Sequence, residues 1–167
     1  FIGTPQMNFF TGKLTGTKNK VYVEFGKEKI ALPKEKVKLI CNLDKYLNTD
    51  REIIFGIRPE DVSDEQSAIE DEKSAVIEVK VDVVEALGAE TQLYCKIRSD
   101  DEDEEKSIAE DISNLIAKVD SRSTTKRDEV VKVALDMAHC HLFDKETEIT
   151  ILARSEDNKA EIEELQA

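Results

Sequence analysis

The chain has 167 residues, of which 40% are apolar, 5% aromatic and none Trp, and it carries a net charge of −13. A chain of this length can bury roughly 70% of its unfolded surface, and a core so poor in rings must draw on Val, Ile and Leu, which favours strands. The negative charge repels phosphate backbones and anionic headgroups, which excludes nucleic acid and membrane surfaces as broad electrostatic partners.

In chain order, residues 1–10 are apolar but broken by Gly3 and Pro5, as a linker or an edge strand would be. Residues 12–18 read as a hairpin turn bearing lysines. Val21, Val23 and Phe25 alternate with Tyr22 and Glu24, and Gly26 leads into Ile30 and Leu32, so a hairpin is predicted. Val37, Ile40, Leu43 and Leu47 recur at helical spacing and predict a short helix within residues 34–47. Ile53, Phe55 and Ile57 then define a strand stopped at Arg58-Pro59, because Pro donates no ladder bond.

Residues 64–73 read as a solvated loop. Ile77, Val79, Val81 and Val83 predict a long strand with one wet face. Leu93, Cys95 and Ile97 repeat the pattern after the Leu87-Gly88-Ala89-Glu90 interruption. The six consecutive acids at 100–105 read as a self-repelling, mobile surface loop, with a docking site for a basic partner or a cation trap as the alternative. Residues 106–120 read as a helical turn followed by a strand. Val131, Val133 and Leu135, then residues 141–143 and 149–152, supply the last strands, and 154–167 is a polar, acidic, frayed or weakly helical end. Short strands at close spacing with one or two short helices give a mainly β fold, an antiparallel barrel or sandwich.

No apolar run reaches the roughly 18 residues that cross a bilayer. Cys41, Cys95 and Cys140 are too scattered for a disulfide framework, so free thiols in a reducing cytosol are expected. Gly12-Lys13-Leu14-Thr15-Gly16-Thr17-Lys18 lacks both the spacing and the Gly-Lys pair of a phosphate cradle, so this stretch is not expected to bind or hydrolyse ATP. His139-Cys140-His141 on a strand would turn two imidazoles to one face, short of the four ligands of a structural zinc site, so no metal is assigned. No Gly-x-Ser-x-Gly elbow is present and no reaction is specified.

Four motifs go further. Phe1-Ile2-Gly3-Thr4-Pro5-Gln6-Met7-Asn8-Phe9, Gly56-Ile57-Arg58-Pro59-Glu60-Asp61-Val62, Val83-Val84-Glu85-Ala86-Leu87-Gly88-Ala89-Glu90-Thr91 and His141-Leu142-Phe143-Asp144 follow one another along the chain. Together they resemble the segments that follow the nucleotide-binding domain in ATP-binding subunits of maltose and multiple-sugar importers of the ABC type. The resemblance implies a transport-associated OB-like antiparallel β-barrel with a regulatory, non-catalytic role. It further implies as partners the subunit's own ATPase domain, a second copy across a two-fold axis, the permease through the ATPase domain, and in some members a phosphotransferase-system regulator. The expected location is cytoplasmic, peripheral to the membrane through the complex. ATP and Mg would belong to the ATPase domain, and no cofactor is expected in this stretch.

On this reading residues 1–12 are a linker from an ATPase domain, 13–154 the regulatory barrel and 155–167 a flexible acidic tail. The candidate interface or regulatory residues are Arg58, Glu60, Gly88, Ala89, Glu90, His141 and Phe143. Arg58 and Glu60 are suited either to fixing a loop internally or to a partner surface. Residues 88–90 are the leading interface candidate, because short side chains let another backbone approach. The alternative function is a barrel sensing a small oxyanion or sugar phosphate with Arg58, Arg98 or Arg122.

Overall fold

The computed structural model describes residues 6–72, 74–97 and 114–165. The acidic run 100–105, Arg98 and the first part of the 106–120 segment, up to residue 113, lie outside them. In chain order the elements are β1 (Asn8–Gly16), β2 (Val21–Phe25), β3 (Glu28–Ala31), α1 (Lys34–Val37), α2 (Leu43–Tyr46), β4 (Ile53–Ile57), β5 (Val62–Ser63), α3 (Gln66–Ile69), β6 (Ala75–Ala86), β7 (Glu90–Ile97), β8 (Asn114–Asp120), β9 (Val130–Leu135), β10 (His141–Asp144) and α4 (Glu156–Leu165). The strands form two five-stranded sheets, ordered β10-β4-β1-β2-β3 and β5-β9-β6-β7-β8. The chain divides into two compact units, one built on Ile57–His139 and the other on Phe9–Phe25, Lys29–Gly56 and Cys140–Ala167, so the 13–154 stretch runs through both.

In the second of these units β10, contributed from the far end of the chain, completes the sheet beside β4, with Leu142 opposite Phe55 and His141 opposite Gly56. Strict alternation buries Phe10, Leu14, Val21, Val23, Phe25, Ile53 and Phe55. Phe10 stacks on Phe25 at 5.0 Å and Phe25 on Phe55 at 5.4 Å between ring centroids. The turn expected over 12–18 is instead strand: β1 runs to Gly16, and reciprocal backbone bonds between Thr17 and Lys20 make the turn. Gly12 permits this, because a Cβ there would collide with the Glu24 carbonyl on β2.

The helix predicted over 34–47 breaks into α1 and α2. Between them Ile40 bridges Leu152, and the Cys41 N–H donates to the Ile151 carbonyl at 2.7 Å. Asn42 then turns with φ +52°, which ends any helix. Residues 149–152 contribute only single bridges, Thr150 to Phe143 and Leu152 to Ile40. The segment expected as a flexible tail contains α4. Ser155 Oγ accepts the Asn158 N–H at 3.2 Å, Glu156 and Asp157 favour the first turn, and Ile162 is buried with Cys41 and Ala153.

In the first unit the sheet is antiparallel throughout. Ile77, Val79 and Val81 are buried as their alternation predicts, together with Leu93, Cys95, Leu115, Ala117 and Val133. The pattern fails at Val83. The register slips between Val81, opposite Cys95, and Val83, opposite Tyr94, and this bulge turns Val83 out to 49% exposure. Residues 64–73 hold one helical turn, α3, with mostly exposed side chains. No helix of the described residues is long and apolar enough to cross a membrane.

Candidate functional site

The β6–β7 hairpin carries the residues favoured for contact. Leu87 N–H donates to the Glu90 carbonyl at 2.8 Å and closes the turn. Gly88 sits at φ +85° with open space where a Cβ would point, so its conformation and not crowding requires glycine. The bulge turns Val83 outward at 49% exposure, and nearer the turn Val84 and Leu87 are 38% and 49% exposed. The Tyr94 hydroxyl donates to Glu85 at 3.0 Å, and Lys118 pairs with Glu90 at 3.7 Å, so the strands behind this tip are tied together.

Arg58 and Glu60 flank Pro59 on the 3-10 turn Pro59–Asp61 that follows β4. Arg58 is half-buried, Glu60 is exposed, and they form no ion pair with each other. The member of the motif with close polar contacts is the next residue, Asp61. Asp61 lies 4.0 Å from His139 Nδ1, which is 2.7 Å from Asp136, and the Asp136 N–H donates to the Asp61 carbonyl at 2.9 Å. Burial, opposed by the His139 imidazole and reinforced by Asp136, pushes the Asp61 carboxyl above its ordinary value. His139 ends a second 3-10 turn, Met137–His139, so the shared strand face expected for His139 and His141 does not exist. The ligand atoms of Asp61, Asp136 and His139 lie within 4.8 Å of one another, two carboxylates and one imidazole that interlock two turns.

On β10, His141 and Phe143 are half-buried on the outer side, their rings near parallel at 6.3 Å, and Phe9 meets Phe143 edge-on at 6.2 Å. The inward residues carry the stronger chemistry. Asp144, fully buried, accepts from the Tyr46 hydroxyl at 2.8 Å, from Arg51 Nε and Nη2 at 3.1 and 2.8 Å, and from the backbone N–H of Glu146 and Thr147 at 2.8 and 3.0 Å. Burial alone would raise this carboxyl. The Arg51, Thr147, Tyr46 and Glu146 donors outweigh it and hold Asp144 well below the usual carboxylate range. Burial and the bond to Asp144 in turn push the Tyr46 phenol up.

One further residue, Asn8, was missed by the sequence reading. Asn8 both donates to the Ile116 carbonyl and accepts its N–H, at 2.9 Å each, so its carboxamide imitates a neighbouring strand along the β8 edge. Arg122, proposed as an anion ligand, is folded onto Asp120 at 3.0 Å beside a hollow of about 280 Å³ that Asp64 and Glu65 also line. Ser123 and Thr125 donate to Asp64 there.

The family model described as "MalK OB fold domain" matches residues 3–62, the stretch that supplies β1 to β4. Residues 3–62 are thus similar to the MalK OB fold domain. This OB-fold chain is 37% identical over 151 residues to the oligosaccharides import ATP-binding protein MsmX of Bacillus subtilis, covering 90% of the chain and 36% of that protein. It is 32% identical to the multiple sugar-binding transport ATP-binding protein MsmK of Streptococcus mutans and 29% identical to the trehalose/maltose import ATP-binding protein MalK of Thermococcus litoralis. The chain thus spans about a third of the length of these curated relatives. The OB-like fold also matches a crystal structure of the cytoplasmic molybdate-binding protein ModG, with a TM-score of 0.53 over 81% of this chain and 94% of that one; at 13% identity this shows the fold alone.

Proposed function

We propose that this OB-fold domain is the non-catalytic regulatory and dimerisation module of the ATP-binding subunit of a bacterial carbohydrate-import ABC transporter. The observation that carries the reading is the β6–β7 hairpin end, where Val83, Val84 and Leu87 stand exposed around a glycine turn on a well-braced pair of strands. Exposed apolar side chains on a rigid hairpin favour burial against another protein surface. The lack of a phosphate cradle in this sequence fits a part that works by contact and leaves nucleotide chemistry to an ATPase domain. The partners are that ATPase domain, a second copy of the subunit, and through them the permease on the cytoplasmic face of the membrane.

The test is cysteine crosslinking of Ala89→Cys in the full-length subunit, with a short bis-maleimide. Covalent dimer is expected, and Leu87→Asp in the same background should abolish it. Monomer alone at every concentration overturns the dimer contact. The oxyanion alternative gains nothing from Arg122, because the hollow beside it is lined with more carboxylates than cations.

A further inference from the structure

The unit containing β10 has an open surface hollow of about 570 Å³. Three lysines from segments far apart in sequence line it: Lys18 from the turn after β1, Lys45 from α2, and Lys159 from α4, whose Nζ also donates to the Lys38 carbonyl at 3.4 Å. Its floor is Ile40, which is 1% exposed. The convergence stands out against the whole chain: residues 13–45 hold nine lysines against four acids, within a protein of net charge −13. Random placement of the acidic excess would have made this surface negative, as it is around Arg122.

Two carboxylates share the hollow. Asp44 lies 3.3 Å from Lys18, and Glu163 lies 3.9 Å from Lys159 and accepts the Asn42 backbone N–H at 3.3 Å, which fixes its direction. Lys45 lies over the Tyr46 ring at 5.8 Å and makes no ion pair among the described residues. This mixture selects among ligand classes. A plain oxyanion gains nothing from Asp44 and Glu163, which repel it. A neutral sugar gains little from three lysines. A small phosphate ester with several hydroxyls uses both, placing its phosphate on the ammonium groups and its hydroxyls as donors to the carboxylates.

We propose that this hollow binds a phosphorylated sugar or polyol, with Lys45, Lys18 and Lys159 on the phosphate and Asp44 and Glu163 on the hydroxyls. The site gives the domain a small-molecule input separate from the hairpin contact, and it does not depend on that contact forming.

Titration calorimetry on this chain with glucose 6-phosphate, glycerol 3-phosphate, inorganic phosphate and glucose tests it. Saturable binding of at least one ester is expected, ten-fold or more tighter than either inorganic phosphate or glucose. Lys45→Gln should weaken that binding about ten-fold, the loss of one charge-assisted contact, and Lys45→Gln with Lys159→Gln should remove it. Lys34→Gln, a lysine that does not line the hollow, should leave it unchanged. Absence of heat with both esters overturns the proposal, as does inorganic phosphate binding as tightly as the esters, or an affinity that Lys45→Gln leaves untouched in a variant with the parent's unfolding midpoint.

Discussion

Asp144→Ala tests the polar centre of the β10 unit. The carboxylate serves five donor atoms, and their fates on its removal differ. The backbone N–H groups of Glu146 and Thr147 lie in an exposed turn and rehydrate. Arg51 keeps its 2.8 Å bond to Glu146 Oε2. The Tyr46 hydroxyl has no such escape, because Tyr46 is 0% exposed and Asp144 is its partner. Stranding a buried hydroxyl costs about 1–3 kcal/mol, and losing one member of a buried charged pair costs about 3–5 kcal/mol. With Arg51 partly solvated, about 3 kcal/mol is the expected loss, or a fall of about 6–12 °C in the unfolding midpoint. The decisive measurement is a double-mutant cycle by urea unfolding. Tyr46→Phe should destabilise the parent by about 1 kcal/mol, yet be neutral or stabilising in the Asp144→Ala background, where it removes the stranded hydroxyl. Additive effects of the two substitutions would refute the account.

The same network sets a pH dependence. Asp144 is depressed in the folded state, so its contribution is complete above the unfolded carboxyl value of about 3.9 and is lost as pH falls below it; the acid limb of a stability–pH curve should flatten in Asp144→Ala. Tyr46 is raised, so its contribution is complete below about pH 10 and is lost as pH climbs above that value; Tyr46→Phe should remove that alkaline loss. Gly12→Ala should cost about 2 kcal/mol or more through the clash with the Glu24 carbonyl, and a parent-like urea midpoint would contradict the close strand approach. Asn8→Ala should cost about 2 kcal/mol by stranding both polar groups of Ile116, and should speed hydrogen exchange at the Ile116 amide, whereas unchanged exchange would mean that β8 needs no such cover.

Much of the strand framework was legible because alternation is a local record of burial: Ile53, Phe55 and Ile57, and likewise Ile77, Val79 and Val81, are buried where their period of two requires it. The likeness to sugar-import ATP-binding proteins was legible as well, since the motifs that carry it keep their linear order. The candidate site was only half legible. Gly88 announced a turn, but nothing local announced that Val83 would be exposed near it, because the bulge that turns Val83 out is a property of the pairing with β7. The motif residue Asp144 read as one more acid among 37 acidic residues. Its importance depends on Tyr46 and Arg51, nearly a hundred residues earlier.

The sequence by itself determined a β-rich core of branched aliphatic side chains, an acidic surface and the absence of a phosphate cradle, all of which follow from composition and short-range pattern. Only the tertiary structure decided that residues 34–47 would yield their helix to bonds with 151–152, that the acidic end would dock Ile162, and that three lysines would meet in one hollow. Those outcomes rest on contacts between segments far apart in the chain, whose energy exceeds the few tenths of a kcal/mol per residue that local helix propensity supplies.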